Sequence, residues 1–474
     1  MIGEATVMGT PRAGAQARTR RGVLGRAAGI IVVGGSPLAA ACGAGGTQSE
    51  APKAANQPAK LLWQVKGAAT YRQLAQWAID EFRKTHPNVT IDIMGDEGNV
   101  EKTTATMVAG EGPDVIHAWG HLLWQFAAKG QMYNHNDLLR DFKKADIEDF
   151  AQSQWNSFVI PGTNFRYGMP MYINMGVLYY NKALFQKRGQ KEPTADWTHD
   201  DYATMLKQMT FQDGDKKVWG GHIPASGFDR FQTHVLAFGG HVVDPKTLTK
   251  SLLDQREAQQ GLEWMRARIH QDQTLAPEDA ARRTWQPTSA QDGFEQGALA
   301  TVESALGSVF LRAARNQANL TWELAHIPKG PAKRVALGTT DGWALWKGTK
   351  AKDMAWELIK FATTNRFYDE QSRAEGRVPS RKSAMDPWVK IVREQFPATQ
   401  AVNLKVITEA LTTMNYPTVD ETFLCQAEAL TVLQPALDEV YKKGAAPVTL
   451  FRDIKPQLDE AAGRCGLDPT KVFK

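Results

Sequence analysis

The chain has no long hydrophobic run, although it has 474 residues. Its mainly apolar N-terminal stretch, Ala27 to Ala41, is only 15 residues long, whereas a transmembrane helix needs about 20. We therefore expect no permanent transmembrane helix at this end of the chain.

A large charge of one sign is also missing. The whole chain carries +5, and a leader with five arginines and one glutamate accounts for four of these charges, which leaves about +1. A nearly neutral chain with interspersed signs favours neither nucleic acid nor an anionic membrane surface as a partner.

Several catalytic motifs are absent, including G-x-S-x-G, H-E-x-x-H and the P-loop. A glycosidase stays open as an alternative, because it needs only two carboxyl groups flanking the scissile bond. His117 and His121 are four residues apart, but at a predicted strand end this spacing does not converge on one metal ion. We expect a protein without enzymatic activity, metal or cofactor.

Residues 1–41 have the pattern of an export signal, in which arginines precede a short apolar run. Arg20 and Arg21 stand side by side, as in a twin-arginine signal. Small residues lead to Cys42, which resembles the lipidated cysteine of a bacterial lipoprotein, although Ala39 stands where that pattern prefers leucine. Residues 42–59 are then a flexible tether. The mature protein is expected outside the cytoplasm, anchored by lipid to the cell membrane.

The remaining cysteines are Cys425 and Cys465, and both follow the predicted leader. Outside the cytoplasm they are able to pair, because that environment is oxidising. Sequence alone leaves their pairing open, since it does not give the distance between their Cα atoms.

Strands and helices alternate at the start of the mature chain. The predicted order is a strand at Leu61 to Val65, a helix at Tyr71 to Lys84, a strand in "VTIDI", a helix at Val100 to Ala109 and a strand in "DVIHA". This order predicts βαβ units and a mainly parallel sheet. Strand patterns return late, in "VALGTTDGWALW", which predicts two α/β lobes with a ligand site between them.

Nine segments carry a resemblance to a known family, and they run across nearly all of the mature chain. They are "LLWQVKG", "HPNVTIDI", "GEGPDVIHAWG", "YGMPMYINMGVLYYNKALF", "PTADWTHDDYATMLKQM", "LAFGGHVVD", "FEQGALATVES", "IPKGPAKRVALGTTDGWALW" and "GRVPSRKSA". In this order the chain resembles the family 1 extracellular solute-binding proteins of ABC importers, the maltose type. The resemblance implies a two-lobed periplasmic-binding-protein fold of type II that closes on its ligand. It places one lobe at 60–172 plus 338–375 and the other at 175–335 plus 378–474.

A sugar site combines aromatic platforms with side chains that donate and accept hydrogen bonds. We selected residues of these types at predicted strand ends, loops and lobe crossings. They are Lys66, Glu97, Trp119, Tyr172, Asn174, Phe228, Asp229, Trp285, Glu303, Ser304, Asp341, Gly342, Trp343 and Arg377. Leu306 stands where sugar-binding relatives can carry a stacking tryptophan, which weakens any carry-over of their exact ligand.

Two other ligand classes remain open. Tyr179 and Tyr180 suggest a ferric-iron site, but adjacent strand residues point to opposite faces, which argues against it. The acidic residues in the selection keep a cationic, peptide-like or polyamine ligand possible. The sequence favours a monomeric, lipid-anchored component that binds a carbohydrate and delivers it to an ABC permease. The resemblance implies that this carbohydrate is an oligosaccharide or a sugar derivative.

Overall fold

The computed structural model describes residues 58–96, 100–227, 230–277, 290–306, 308–315, 319–338, 341–414, 418–419, 421–465 and 473. The strands are β1 (Ala59–Lys66), β2 (Val89–Asp96), β3 (Val115–Trp119), β4 (Met169–Ile173), β5 (Gly176–Asn181), β6 (Phe211–Asp213), β7 (Lys216–Val218), β8 (Thr301–Ala305), β9 (Trp322–Ala325), β10 (Ala336–Leu337), β11 (Asp341–Leu345), β12 (Val378–Pro379) and β13 (Thr418–Val419).

The α-helices are α1 (Ala69–Arg83), α2 (Val100–Val108), α3 (Gly120–Ala128), α4 (Lys144–Glu148), α5 (Gln152–Ser157), α6 (Lys182–Lys187), α7 (His199–Gln208), α8 (Gln232–Ala237), α9 (Arg256–Arg266), α10 (Ala290–Glu295), α11 (Ser308–Arg315), α12 (Lys352–Phe361), α13 (Asn365–Glu375), α14 (Met385–Gln395), α15 (Lys405–Thr412), α16 (Gln426–Leu437), α17 (Leu450–Asp453) and α18 (Lys455–Gly463). Short 3₁₀ segments occupy His135–Asp141, Lys382–Ala384 and Pro397–Thr399, and π-helical turns occupy Ala267–Gln271 and Asp438–Lys442.

The larger sheet of the described chain has six strands in the order β12-β4-β11-β3-β1-β2. β1 is parallel to β2 and β3, whereas β11 is antiparallel to β3 and β4, and β12 is antiparallel to β4. The prediction of a mainly parallel sheet is therefore wrong for the late strands. The reason is that the chain re-enters the sheet at the edge where β3 ends, so that Asp341 at the start of β11 faces Trp119.

Helices cover both faces of this sheet. The alternation of β1 sends Leu61, Trp63 and Val65 into one core, where they pack with apolar residues of α1, α12 and α13. The opposite face is covered by α3, whose Leu123 and Phe126 are buried. The predicted βα order at the start of the chain is confirmed, with boundaries within a few residues of those expected.

The second sheet in the described residues is antiparallel, with β5 between β8 and β9. Tyr179 and Tyr180 on β5 enter different cores on its two faces. The Tyr180 hydroxyl donates a hydrogen bond of 2.9 Å to Glu192. The expected alternation is confirmed, and these two phenols do not converge on one ion. Asn181 caps α6, because its side chain accepts from the Leu184 amide at 3.1 Å.

The two sheets are joined where β4 runs into β5 through Asn174 and Met175, and Met175 forms a bridge with Gly338. The predicted lobe boundaries stay a prediction.

Cys425 and Cys465 form a disulfide with Cα atoms 5.6 Å apart. Within the described ranges, no helix has the length and apolar character needed to cross a membrane.

Candidate ligand-binding site

Three strands of the larger sheet end at a common edge. β1 ends at Lys66, β3 at Trp119 and β4 just after Tyr172. The antiparallel β11 begins at this edge, so Asp341 pairs with Trp119 on one side and with Tyr172 on the other. The pairing register thus brings four of the predicted residues together, at the edge where open α/β sheets bind ligands.

Asp341 is the hub of this group and has no exposed surface. Its Oδ2 atom accepts hydrogen bonds from the Tyr172 hydroxyl at 2.6 Å and from His117 Nε2 at 3.2 Å, and it also pairs with Lys66 Nζ. Burial alone raises the pKa of Asp341, but Lys66 and His117 outweigh it and hold this pKa well below its ordinary value. Asp341 is therefore an ionised internal anchor, which corrects the prediction that its side chain contacts ligand.

Lys66 and Trp119 lie together at the surface of this edge. Lys66 Nζ is 4.2 Å from the centre of the Trp119 ring, and the Lys66 side chain is 16% exposed. Burial lowers the pKa of Lys66, and the charge of Asp341 opposes this change. Trp119 is 41% exposed and stacks with His121 at 5.8 Å. The structure thus places a partly exposed indole ring at this edge, with Lys66 over the ring and His121 stacked on it. Ligand contact by Trp119 stays a prediction.

Arg377 reaches the same group from the residue before β12. Its Nη2 donates to the Tyr71 hydroxyl at 2.8 Å, its Nε pairs with Glu375 at 3.2 Å, and its guanidinium lies 4.5 Å from the centre of the Tyr172 ring. Lys66 and Arg377 are thus each matched by a buried carboxylate. The two cations and two carboxylates at this edge therefore neutralise one another within the protein.

Two predicted residues of β11 lie in the core instead of on the surface. Trp343 is 1% exposed and packs against Trp63 at 5.4 Å and Phe367 at 5.8 Å. A Cβ atom on Gly342 would lie 2.4 Å from the Phe158 ring, so glycine is needed here for packing. The predictions of a ligand platform at Trp343 and a ligand approach at Gly342 are corrected, because helices cover β11 on both faces.

Tyr172 is also buried, at 1% exposure, and its hydroxyl is 3.3 Å from that of Tyr71. It supports Asp341 and Arg377 from inside, which corrects its predicted role as a surface contact. Asn174 is half-buried in the two-residue link between β4 and β5, where it remains a candidate for ligand contact.

Glu303 and Ser304 lie near the end of β8, paired with Leu178 and Val177 of β5. Both line a small recess together with Gly176, Ile223, Pro224 and Arg230. The Glu303 carboxylate is 3.1 Å from His234 Nε2. The second sheet therefore also brings polar side chains to the end adjoining the crossing from β4.

The remaining predicted residues lie outside the described residues. They are Cys42, Glu97, Phe228, Asp229 and Trp285. Sequence reasoning missed three members of the group around Asp341, namely His117, Tyr71 and Glu375. Only His117 gave a signal, because a polar residue in the apolar strand "DVIHA" requires a buried partner.

The described residues contain no group of three or more histidine, cysteine, aspartate or glutamate side chains placed to hold a metal ion. The Asp341 carboxylate pairs with Lys66 and accepts hydrogen bonds from His117 and Tyr172, and the Glu375 carboxylate pairs with Arg377, which is the reverse of a cation site. The chemistry of this group suits a ligand that stacks on an aromatic ring and exchanges hydrogen bonds.

The fold and sequence match known proteins over most of the chain. Maltodextrin-binding protein MdxE from Bacillus subtilis is 22% identical over 349 residues, which are 71% of this chain and 78% of MdxE. The structure of the sugar-binding protein MalE from Xanthomonas citri has a TM-score of 0.67 at 16% identity and covers 86% of this chain and 98% of MalE. UgpB from Mycobacterium tuberculosis, in complex with glycerophosphocholine, has a TM-score of 0.67 at 19% identity and covers 87% of this chain and 100% of UgpB.

These structural likenesses confirm the predicted two-lobed fold. Residues 77–398, more than half of the sequence, match the family described as bacterial extracellular solute-binding protein. The chain belongs to the bacterial extracellular solute-binding proteins, as its sequence segments predict.

Proposed function

We propose that this protein is the substrate-binding component of an ABC importer and captures a neutral carbohydrate between its two lobes. The closed, ligand-bound form is the one delivered to the permease, because a ligand that binds the closed form more tightly shifts the population towards it. The protein acts as a monomer, without a catalytic step. Cys42 carries a lipid that anchors it on the outer side of the cell membrane.

The observation that carries the proposal is the exposed ring of Trp119 beside Lys66. The C–H face of a sugar packs on such a ring, while its hydroxyls exchange hydrogen bonds with neighbouring polar groups. The relatives add support, since MdxE is a maltodextrin-binding protein and MalE of Xanthomonas citri a sugar-binding protein.

The charge balance of the site favours a neutral ligand over a polyamine or peptide-like cation. A polyamine requires carboxylates that are free to pair with its ammonium groups. Asp341 already pairs with Lys66 and Glu375 with Arg377, so neither of these buried carboxylates is free. A phosphate group, such as that of the glycerophosphocholine bound by UgpB, would in turn have to displace Asp341 or Glu375 from its cation.

The same charge arrangement supports the proposal that the protein does not cleave its ligand. Glycoside cleavage needs one carboxyl group that donates a proton and a second carboxylate near the reacting carbon. Asp341 has no exposed surface and is held ionised by its partners, so it is a poor acid and is closed to substrate. Solute binding is also the activity for which the family is described.

A thermal-shift screen of purified residues 43–474 tests the proposal. The panel contains maltose, maltotriose, diacetylchitobiose, erythritol, spermidine, a tripeptide mixture and ferric citrate. We expect a rise in melting temperature with at least one saccharide, and none with spermidine or ferric citrate. A shift with ferric citrate alone, or release of product from any saccharide, contradicts the proposal.

The anchor has its own test. The Cys42→Ser change should release the protein from washed membranes, while the Cys425→Ser change, which leaves the leader untouched, should not. Membrane retention of the Cys42→Ser protein overturns lipidation at this residue without affecting the ligand proposal.

A further inference from the structure

Two buried histidines form a chain of hydrogen bonds behind Glu303. His234 Nε2 is 3.1 Å from Glu303 Oε2, and His234 Nδ1 is 3.1 Å from His199 Nε2. His199 starts α7, His234 lies within α8 and Glu303 lies on β8. Three separate elements therefore converge on one line of polar atoms that ends at the candidate ligand recess.

The packing around these histidines leaves them little freedom. The Trp264 ring stacks on His234 at 5.1 Å and meets His199 edge-on at 4.8 Å. α9 approaches α8 closely at Gly261, where a Cβ atom would lie 2.5 Å from the His234 carbonyl oxygen. Side chains that are locked by such packing hold a neighbouring group in a fixed position.

The carboxylate of Glu303 at one end of this chain sets which nitrogen of each histidine donates and which accepts. An ionised carboxylate offers only acceptor atoms, so His234 Nε2 must carry a proton and donate it to Glu303. With a single proton, on Nε2, the His234 ring leaves Nδ1 as an acceptor for His199 Nε2. Burial, together with His234, lowers the pKa of His199 to about 3, so His199 stays neutral at physiological pH.

We propose that His234 and His199 are positioning residues that fix Glu303 as a hydrogen-bond acceptor for a ligand hydroxyl. The inference rests on the proposed function. It adds the ligand group that Glu303 selects, namely a hydroxyl that donates a hydrogen bond. Glu303 accepts from His234 through one oxygen and from the ligand through the other. A ligand without a donor at this position leaves the second oxygen of Glu303 without a partner in the recess, which costs affinity. His234 and His199 do not themselves touch the ligand.

The test uses three changes in the full chain, with maltotriose as the probe. His234→Leu removes the donor to Glu303 and should lower affinity about tenfold. His234→Gln can place an amide nitrogen near the position of Nε2, so its affinity should stay within about threefold of wild type. His135→Leu is the matched control, because His135 is a buried histidine of the 3₁₀ segment His135–Asp141 that accepts a hydrogen bond from the Leu345 amide and does not contact Glu303. The His135→Leu protein should be less stable than wild type and should bind maltotriose with unchanged affinity.

Nitrogen NMR of the histidine rings gives a reading that needs no ligand. At pH 7 we expect His234 to carry its proton on Nε2, with the signal identified by its loss in His234→Leu. If maltotriose does not bind to wild type, the choice of sugar is wrong, and the ring spectrum alone decides the inference. A proton on Nδ1 of His234 overturns it. Wild-type affinity in His234→Leu, or an equal loss of affinity in His135→Leu, also overturns it.

Discussion

The hydroxyl group of Tyr172 donates a hydrogen bond of 2.6 Å to the buried carboxylate of Asp341. The two residues lie on neighbouring antiparallel strands, and each is among the first or last residues of its strand at the ligand edge. The same carboxylate pairs with Lys66 and His117, so one buried charge connects β1, β3, β4 and β11. The shape of the candidate site thus depends on a residue that is itself closed to ligand.

The Asp341→Asn change tests this dependence. It leaves Lys66 buried without its counter-charge, and the loss of one partner of a buried ion pair costs about 3–5 kcal/mol of unfolding free energy. The measurement is urea denaturation. Asp92→Asn is the control, because the Lys60–Asp92 pair is 75% and 52% exposed and should contribute little. Equal stability changes in the two variants would contradict the account of Asp341.

Substitution of Trp119 should weaken ligand binding, whereas substitution of Trp343 should lower the stability of the fold. The two residues differ in this way although both belong to strands of the ligand edge. Trp119→Ala removes an exposed ring, so we expect an affinity at least about tenfold weaker with a nearly unchanged melting temperature. Trp343→Ala empties a core position, which costs about 3–5 kcal/mol of unfolding free energy. Calorimetric titration and urea denaturation of both proteins separate the two effects. Normal binding by Trp119→Ala removes this residue from the site.

Buried histidines predict how stability depends on pH. His135 Nε2 accepts a hydrogen bond from the Leu345 amide, and burial together with Arg166 lowers the pKa of His135 to about 3. The unfolded chain takes up this proton near pH 6.5, whereas the folded chain does not until about pH 3. The unfolding free energy therefore falls as the pH drops from about 6.5 to about 3, by about 1.4 kcal/mol per pH unit for each such histidine.

The His135→Leu change checks this slope. Urea denaturation at several values between pH 4 and pH 6 should give a pH dependence weaker than wild type by about 1.4 kcal/mol per unit. His86→Leu is the control, since His86 is half-buried in the segment that follows α1. A slope unchanged by His135→Leu means that His135 already takes up its proton in the folded state.

The disulfide predicts a redox-dependent stability. Cys425 and Cys465 are 40 residues apart, and closing a loop of this length stabilises the folded state by about 4 kcal/mol in the chain-entropy description. The double change Cys425→Ser and Cys465→Ser should lower the unfolding free energy by about this amount. Reductant should weaken the wild type similarly and leave the double variant unchanged. Insensitivity of the wild type to reductant would show that the bridge does not form.

Much of the fold follows from local patterns in the sequence. The alternation of Leu61, Trp63 and Val65 predicts β1 and its buried face, and the same rule separates Tyr179 from Tyr180. These features depend on neighbouring residues and on the two-residue repeat of a strand. For this reason they are visible without knowledge of distant parts of the chain.

The burial of Trp343 cannot be predicted from such local sequence patterns. Its neighbours Asp341 and Gly342 suggest a loop at a crossing, yet all three lie in a strand covered on one side by Phe367 and on the other by Phe158. The contact of His199 with His234, and of His234 with Glu303, joins residues 35 and 69 positions apart. Partners at such separations are set by tertiary packing, which a single sequence does not reveal.

The most direct test of the central claim is a calorimetric titration of the purified protein with the saccharides of the screen, with spermidine and ferric citrate as comparisons. The account predicts saturable binding of at least one saccharide at one site per chain, with a dissociation constant of about 1 μM or tighter, equivalent to about −8 kcal/mol. It also predicts that Trp119→Ala weakens this binding and that the saccharide is recovered intact. Saturable binding of spermidine or ferric citrate, with no heat from any saccharide, would contradict it.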